Sequence, residues 1–475
     1  MPVIGAFMVP HPPIAVAEVG RGEEEKIRAT LDAYEAVAGE VRNLTPDTIV
    51  ISSPHNVMYA DYFNISDGAK AKGDLSQFRA PGVKADLEYD RELVQEICER
   101  TGAEDFPAGT MGQQGKSLDH GCMVPLYFIQ NAYRSAGAEP DFRLVRIGLS
   151  GLPLTDHYRL GEIVREASDA LGRRIVWIGS GDLSHKMLAE GPYGYDAAGP
   201  VYDEKIMDVM GRAAFGELFD FSESLCDKAA ECGHRSFVMM AGALDRTAVR
   251  AEALSHEATF GVGYGICRYE IQGADASRNF LDQYREKAMA ELNEKRSSED
   301  GYVRLARKQV EAYINSGTRL KIPEDLPADL TAEERSDLLG RAAGVFVSLH
   351  KQGSLRGCIG TISATASCIA EEICRNAVSA CTRDPRFNAV APAELSELEY
   401  SVDVLGEAEK IDSADELDPA RYGVIVEQGF RRGLLLPNLD GVDTVEQQID
   451  IACQKAGITN RRGMWMKRFE VVRHY

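Results

Sequence analysis

Short apolar segments that end at a polar loop carrying a histidine recur in the first half of the chain. The clearest is Ile175–Ile178, a predicted strand that stops at a glycine-containing loop and leads to His185. Two earlier segments end in the same way at His11 and His55. Apolar runs of this length are typical of parallel strands buried on both faces. Ligands of open α/β sheets bind beyond the carboxyl ends of such strands, so these histidines are candidates for chemistry, although any single one could instead cap a loop.

The composition limits the class of protein. The chain has 475 residues, more than one core of ordinary size holds, so two or three domains are expected. Its formal net charge of -21 argues against nucleic acid as the main partner, because phosphate binding needs clustered Lys and Arg. There is no apolar run of about eighteen residues or more and no signal-peptide pattern, so we expect neither a membrane span nor secretion. Ten scattered cysteines without a CxxC pair indicate reduced thiols and a cytoplasmic location.

The order of predicted elements indicates an α/β protein with two domains. Strands and helices alternate through 1–271, which predicts a mostly parallel or mixed sheet with helices on both faces. A charge-rich helical pattern at 272–297 reads as a linker. A smaller α+β domain is expected over 298–475, with a hairpin turn at 351–354. The polar, glycine-rich stretch 61–83 is expected to be a loop beside the pocket.

Four histidines lie where a predicted strand ends or a predicted helix begins: His11, His55, His120 and His185. His120 is expected just before a helix, whose N-terminus attracts anionic groups, but Asp119 or a nearby serine could simply cap that helix. Two imidazoles and one carboxylate form the facial triad that holds non-haem Fe(II). Neutral imidazole also suits Zn and Cu, so the ligand types alone leave the metal open.

Four short segments of the first half occur in a specific order: Val9–Pro13, Ser53–Asn56, Leu118–Gly121 and Gly181–His185. In these segments, residues 1–271 resemble the class III extradiol dioxygenase superfamily and, within it, the Memo-like branch. The resemblance implies that His11 and His55 bind Fe(II) together with a third ligand. It also implies that His120 and His185 are acid/base or substrate-orienting groups.

The third metal ligand stays open between two neighbouring residues. Glu231 would complete a carboxylate triad of the iron type, and we prefer it. Cys232 is the position that the Memo-like branch places at the metal, and a thiolate would favour Cu(I), Zn or thiolate-ligated iron. Cys232 could also be a small buried apolar residue, which is the usual role of a free cysteine. Fe(II) is therefore the expected metal, with Zn or Cu as alternatives.

The second half resembles an AMMECR-type domain, and two segments carry that resemblance: Leu355–Gly360 and Arg383–Phe387. In this cleft Arg356 could hold a carboxylate or a phosphate. Cys358 could be a nucleophile if a nearby arginine stabilises its thiolate, although a cysteine in an apolar strand more often packs. Asp384 and Arg386 are expected to form an ion pair that braces the cleft.

The resemblance implies a metal-dependent oxidoreductase of the extradiol ring-cleaving type that acts on a small catechol- or aminophenol-like substrate. His185 would take a proton from the substrate, and His120 would donate a proton or a hydrogen bond. The alternative is a metal- or ligand-binding accessory module that works with a radical-SAM protein, because the domain pair resembles the AmmeMemoRadiSam system. A zinc hydrolase is a third interpretation. The oligomeric state, including a homo-oligomer, stays open.

Overall fold

The computed structural model of the chain describes residues 2–115, 117–351, 353–439 and 441–475. Its contacts divide the chain into two compact units, Met1–Arg285 and Glu286–Tyr475. Within the described ranges, no helix combines the length and the apolar character needed to cross a bilayer. All ten cysteines lie in these ranges, and each is a free thiol.

The first unit alternates strands and helices along the sequence. Its strands are β1 (Val3–Val9), β2 (Thr48–Ser53), β3 (Phe63–Asn64), β4 (Lys70–Leu75), β5 (Ala80–Glu88), β6 (Ala108–Gly109), β7 (Arg143–Gly148), β8 (Ile175–Ser180), β9 (Thr247–Glu257) and β10 (Tyr264–Ala274). Its helices are α1 (Ala17–Gly20), α2 (Arg28–Leu44), α3 (Arg91–Ala103), α4 (His120–Ser135), α5 (Leu154–Ala170), α6 (Ala198–Gly211), α7 (Glu223–Ala229) and α8 (His234–Ala243), and α9 (Phe280–Ser298) runs across the division.

The central sheet of the first unit has six strands in the order β7-β2-β8-β1-β10-β9. The first four are parallel to one another, and β10 and β9 are antiparallel at the other edge. The predicted α/β fold with a mixed sheet is therefore confirmed. The parallel strands β2, β8 and β1 are neighbours, so their carboxyl ends lie side by side at one edge of the sheet.

Both faces of this sheet are covered, as the continuous apolar strands predict. Along β1, Ala6 and Met8 belong to one core cluster together with residues of α5 and α8. Phe7 and Val9, which point to the opposite face, belong to a second cluster with residues of α2 and α4. The strand is thus held by apolar contacts on both sides, and its polar loop is free to face the carboxyl edge.

The expected loop over 61–83 is wrong. Strand β4 pairs with β5 in an antiparallel ribbon, with Lys70 opposite Glu88 and Gly73 opposite Ala85. Alternate side chains of β5 are buried, including those of Ala85 and Leu87. The small and charged residues in this stretch obscured the alternation, because only one face of the ribbon is apolar.

The second unit combines helices with two four-stranded sheets. Its helices are α10 (Gly301–Ser316), α11 (Ala332–Gly340), α12 (Ile369–Thr382) and α13 (Val445–Ala456). Its strands are β11 (Val345–Lys351), β12 (Ser354–Gly360), β13 (Leu398–Leu405), β14 (Glu409–Ile411), β15 (Gly423–Gln428), β16 (Arg431–Leu435), β17 (Trp465–Phe469) and β18 (Val471–His474). The sheets run β12-β11-β13-β18 and β14-β17-β15-β16. This is the smaller α+β arrangement that the sequence predicts.

Strands β11 and β12 form the expected antiparallel hairpin. Gln352, in its predicted turn, lies outside the described residues, and Gly353 has a φ of 77° that favours glycine. Two further glycines of β12 allow close approach of other parts of the unit. A Cβ on Gly357 would lie 2.4 Å from the carbonyl oxygen of Ala380, and a Cβ on Gly360 would meet the ring of Phe346.

Candidate metal centre

Three parallel strands deliver the candidate histidines to one place. Strand β1 is followed by His11, β2 by His55 and β8 by the loop that carries His185. Because these strands are neighbours in the sheet, their following loops meet at its carboxyl edge. The ring centroids of His11 and His55 are 4.7 Å apart, and those of His55 and His120 are 4.0 Å apart.

Two of the imidazoles direct ring nitrogens at each other, and a thiol lies beside them. Nε2 of His11 is 2.9 Å from Nε2 of His55 and 3.6 Å from Sγ of Cys232. The three donor atoms lie within 4.8 Å of one another. Among the described residues, His11, His55 and Cys232 form the group that could hold a metal ion.

The orientation of His11 is set by its other nitrogen. Nδ1 of His11 is 3.0 Å from Oγ of Ser180, and that hydroxyl donates to the carbonyl oxygen of Gly121 at 2.6 Å. Since the serine proton is used by the carbonyl, Ser180 accepts a hydrogen bond from Nδ1–H. Nε2 is left with its lone pair facing His55 and Cys232, which is the tautomer that a metal ligand needs.

Cys232 reaches the group because two glycines touch. A Cβ on Gly181 would lie 2.1 Å from Cα of Gly233, so only glycine lets the loop before α8 approach the loop after β8 this closely. The backbone N–H of Asp182 then donates to Sγ of Cys232 at 3.3 Å. Burial and the carboxylates of Asp182 and Glu231 raise the pKa of the Cys232 thiol well above its usual range, and a bound cation would reverse this by taking the thiolate as a ligand.

Glu231, the preferred third ligand from the sequence, lies outside this group. Its Oε2 accepts a hydrogen bond of 2.6 Å from the backbone N–H of His234, at the start of α8. Burial raises the pKa of Glu231 to about 7. The carboxylate therefore accepts a hydrogen bond at the N-terminus of α8. The thiol of Cys232, and not this carboxylate, lies beside the two imidazoles.

The three donors fit a transition-metal ion. Tetrahedral coordination at about 2.0–2.1 Å for nitrogen and about 2.3 Å for sulfur separates two nitrogens by roughly 3.3 Å and a nitrogen from a sulfur by roughly 3.6 Å. The observed nitrogen–sulfur distance is 3.6 Å, and the observed nitrogen–nitrogen distance of 2.9 Å needs to open by a few tenths of an ångström. Two imidazoles and a thiol are borderline-to-soft donors, which exclude Mg²⁺ and Ca²⁺ as natural occupants.

The imidazoles of this centre are neutral. Burial and the neighbouring His55 lower the pKa of His11 to about 3. Burial, His11 and His55 lower the pKa of His120 to about 3, and burial lowers that of His55 despite the carboxylates of Asp119 and Asp182. Neutral imidazole is the form that binds metals.

His120 and His185 stand beside the group in different ways. His120 is the first residue of α4, so the prediction that it lies just before the helix is wrong by one residue. Asp119 caps the helix by accepting a hydrogen bond from the backbone N–H of Cys122. The ring of His120 stacks on His55 and meets the edge of Phe78. His185 is anchored by Nδ1, which lies 2.6 Å from the carbonyl oxygen of Ala230.

Comparison with known proteins decides the family. Residues 5–267 match the family model described as the catalytic LigB subunit of aromatic ring-opening dioxygenase, and residues 303–474 match AMMECR1. A protein of Clostridium acetobutylicum is 40% identical over 481 residues, covering 100% of this chain and 99% of that relative. The chain belongs to the LigB family and carries an AMMECR1 domain. Both predicted resemblances are confirmed.

Other relatives share a smaller part of this chain. A protein of Thermotoga maritima is 48% identical over 161 residues, covering 34% of this chain and 88% of the relative. A crystal structure of a protein from Pyrococcus horikoshii covers 36% of this chain and 88% of its own, with 29% identity and a TM-score of 0.32. LigB-family enzymes are typically metal-dependent, in agreement with the His-His-Cys group found here.

The predicted residues of the AMMECR1 domain separate into two sets. Cys358 and Arg386 line a cavity, and Arg386 pairs with Asp384 at 2.7 Å, as an ion pair that braces the cleft. Arg356 is not among the cavity-lining residues. Its guanidinium forms a two-pronged contact with Glu394, at 2.9 Å for each nitrogen, and donates to the carbonyl oxygens of residues 388 and 389.

Sequence reasoning missed the groups that orient the histidines. Ser180 sets the tautomer of His11, and Asp182 accepts the backbone N–H of His11 at 2.7 Å. Tyr193 presents its ring to His185, with centroids 5.0 Å apart. Ser180 could have been found from the sequence, since a serine between two glycines is unusual at the end of an otherwise apolar strand. Tyr193 had no such signal, because it lies in a loop without a periodic pattern.

Proposed function

We propose that the LigB-family unit is a metal-dependent oxidoreductase of the extradiol ring-cleaving type, acting on a small catechol- or aminophenol-like substrate. The observation that supports this most is the convergence of His11, His55 and Cys232 on one point, with donors within 4.8 Å, beside two further histidines. Iron is the proposed ion, and Zn or Cu are the alternatives that a thiol ligand also suits. A redox-active ion held there would supply the open coordination positions that such an oxidation needs.

His185 is the proposed proton acceptor. Its Nδ1 faces the carbonyl oxygen of Ala230 at 2.6 Å, so Nδ1 carries the hydrogen and donates it. Nε2 is then left with a lone pair that can take a proton from a substrate hydroxyl. The edge of the Tyr193 ring lies against His185 and limits the directions from which a substrate can reach it.

His120 is the proposed hydrogen-bond donor to the reacting oxygen. Its ring is held between His55 and Phe78, so it keeps a fixed position beside the two histidine ligands. A fixed donor at the point where negative charge develops stabilises the transition state without reorganisation. Phe78 lies in the segment 76–78 between β4 and β5, and so this ribbon forms part of the wall of the site.

One observation favours a second function. The third donor is a thiol and Glu231 is directed elsewhere, so the centre departs from the two-histidine, one-carboxylate arrangement of non-haem Fe(II) oxygenases. In this second proposal the unit is a metal- or ligand-binding accessory module of the cytoplasm that works with a radical-SAM partner and does not use dioxygen.

Metal analysis combined with turnover separates the two functions. The full chain is purified without oxygen, its metals are quantified, and catechol and 2-aminophenol are then supplied with and without dioxygen. We expect about one iron ion per chain and ring opening that needs dioxygen. Bound metal without turnover of either compound supports the accessory module. A chain that binds no transition metal contradicts the ring-cleaving proposal and the metal-binding form of the accessory module.

Two substitutions test the proposed division of roles. His11→Ala removes a ligand and is expected to abolish metal binding together with turnover. His185→Ala is expected to keep the metal and to lower turnover by roughly 10²–10⁴-fold, because that is the usual contribution of a positioned general base. His350→Ala, in the AMMECR1 domain, is the matched control and should change neither quantity. Equal loss of metal in the first two variants would contradict the assignment.

A further inference from the structure

A cavity lies in the AMMECR1 domain, far in sequence from the histidine centre. Its volume is about 770 Å³, which is large enough for a small organic molecule. Its walls come from strands of both sheets of the second unit, with apolar side chains from Phe346, Leu355 and Leu434. Ser348 and Cys358 contribute the polar part of the wall on the neighbouring strands β11 and β12.

The charged residues around this cavity are mostly cations. The charged side chains lining it are those of Arg386, Arg432, Lys455 and Arg473 and a single side-chain carboxylate, Asp403. This is unusual in a chain whose formal net charge is -21. A cationic, partly apolar concavity in an acidic protein raises the local concentration of anions and disfavours cations.

Three of the four cations already have partners. Arg386 pairs with Asp384 at 2.7 Å, and Arg432 pairs with Glu427 at 3.1 Å. The third pair joins Arg473 on β18 to Asp403 on β13, at 2.7 Å. These ion pairs hold the planar guanidinium groups in place and neutralise most of their charge.

Lys455 is different. It lies on the last turn of α13, and its ammonium forms no hydrogen bond or ion pair with the described residues. Partial burial lowers the pKa of Lys455, and the charge of Arg386 acts in the same direction, whereas Cys358 acts in the opposite one. The ammonium therefore lies near both of these residues and, among the residues that the structure describes, has no partner in this cavity.

We propose that this cavity binds a small organic monoanion with an apolar body, such as an aryl or alkyl carboxylate, whose anionic group contacts Lys455 while its body packs on Phe346, Leu355 and Leu434. The assignment is independent of the chemistry proposed for the histidine centre. One unpaired ammonium matches one negative charge, and the apolar wall provides the area that makes such a ligand prefer the cavity to water.

Cys358 belongs to the wall of this site and not to a thiol reaction. The hydroxyl of Ser348 donates to its Sγ at 3.2 Å, and the carboxylate of Asp384 accepts its backbone N–H at 2.9 Å. Burial raises the pKa of the Cys358 thiol, so the side chain stays protonated and is a poor nucleophile. Its slow alkylation, measured at mildly alkaline pH, can still report on the cavity, since a molecule bound there covers the thiol.

The first experiment uses two fluorescent probes of nearly the same shape on the full chain. Anilinonaphthalenesulfonate carries one negative charge, and N-phenylnaphthylamine carries none. We expect the charged probe to bind about tenfold more tightly, because a hydrogen bond to a charged group contributes roughly that much. Lys455→Met should remove this preference and Lys455→Arg should keep it. Lys410→Met, an exposed lysine on β14, is the control and should change nothing. Equal affinity for both probes, or an unchanged affinity in Lys455→Met, overturns the proposal.

The second experiment locates the ligand and defines its class. Cys358 is alkylated with iodoacetamide and quantified by peptide mass spectrometry, with Cys226 of the first unit as internal control. Benzoate should slow the reaction of Cys358 and leave that of Cys226 unchanged. Benzyl alcohol at the same concentration should protect much less. Protection by inorganic phosphate equal to that by benzoate would mean that the apolar body plays no part, and absence of protection by benzoate would place the ligand elsewhere; either result overturns the proposal.

Discussion

At the scale of the residue, one hydroxyl determines which nitrogen of His11 is available. The hydroxyl of Ser180 donates its hydrogen to the carbonyl oxygen of Gly121, so its oxygen accepts a hydrogen bond from Nδ1–H of His11. The lone pair of Nε2 is then available to bind a metal ion. The carbonyl oxygen of Ala230 orients His185 in a similar way, because it accepts a hydrogen bond from Nδ1–H of that ring. In both rings the Nδ1 hydrogen bond leaves the lone pair of Nε2 available, which suits the metal-ligand role proposed for His11 and the proton-acceptor role proposed for His185.

The identity of the third ligand is testable at this scale. Cys232→Ser is expected to weaken metal binding by more than about 100-fold, since changes outside the ligand shell alone cost about 10–100-fold. Glu231→Gln should keep the metal, because its side chain caps α8 and lies outside the donor group. Cys226→Ser is the matched thiol control. Competition with a chelator measures all three. Loss of metal in Glu231→Gln with retention in Cys232→Ser would restore the carboxylate as the ligand.

Among the secondary-structure elements, α5 and α8 pack closely against each other, and this contact helps to position the candidate metal centre. A Cβ on Gly161 would lie 2.0 Å from the carbonyl oxygen of Met239, and a Cβ on Gly242 would lie 1.9 Å from that of Tyr158. The two helices therefore touch backbone to backbone. Helix α8 begins two residues after Cys232, so this contact also helps to determine where the thiol lies relative to the sheet.

Gly242→Ala tests this packing. The added methyl group forces the two helices apart and is expected to lower the free energy of unfolding by about 3 kcal/mol. Gly39→Ala, in the middle of α2, meets no atom within 4 Å and should raise it by up to about 1 kcal/mol through helix propensity. Urea unfolding of the full chain, followed by circular dichroism, measures both. A destabilisation of the same size in both variants would show that the contact is not the cause.

Over the whole molecule, acidic residues outnumber basic ones by 74 to 53, and several of the acidic residues are buried in the first unit. Glu162 on α5 is nearly inaccessible and faces Arg159, Asp245 and Arg246. Burial, and then the carboxylate of Asp245, raises the pKa of Glu162 to about 7, although Arg159 acts in the opposite direction. The folded state therefore binds a proton that the unfolded state has already lost at mildly acidic pH.

This proton makes the stability of the first unit depend on pH. Between the ordinary glutamate pKa and about 7, the folded state carries more protons than the unfolded state, so stability is highest below this window and falls as pH rises through it. Glu162→Gln should remove a loss on the order of 2 kcal/mol between pH 5 and pH 8. Glu166→Gln, which faces the same arginine from a more exposed position, is the control. A wild-type slope retained in Glu162→Gln would contradict this assignment.

Much of the architecture could be predicted because it follows from local patterns. Continuous apolar strands that alternate with helices specify a two-sided sheet, and the parallel order places the residues after β1, β2 and β8 at one edge. The ribbon of β4 and β5 was missed, because its strands are half polar and interrupted by glycine. The scattered spacing of the cysteines predicted free thiols, and the ten cysteines are free in the structure.

Local patterns in the sequence were enough to predict the strands of the central sheet, their burial on both faces and the histidines that follow them, since periodicity and turn residues act over a few positions. The choice between Glu231 and Cys232 stayed open in the sequence, and it is the folded chain that brings the thiol of Cys232, and not the carboxylate of Glu231, to the two imidazoles. The close contact of Gly181 with Gly233 holds the two loops together at this point. In the second unit, Arg356 is paired with Glu394, whereas Lys455 lines the same cavity as Cys358 although no local pattern in the sequence connects these two residues.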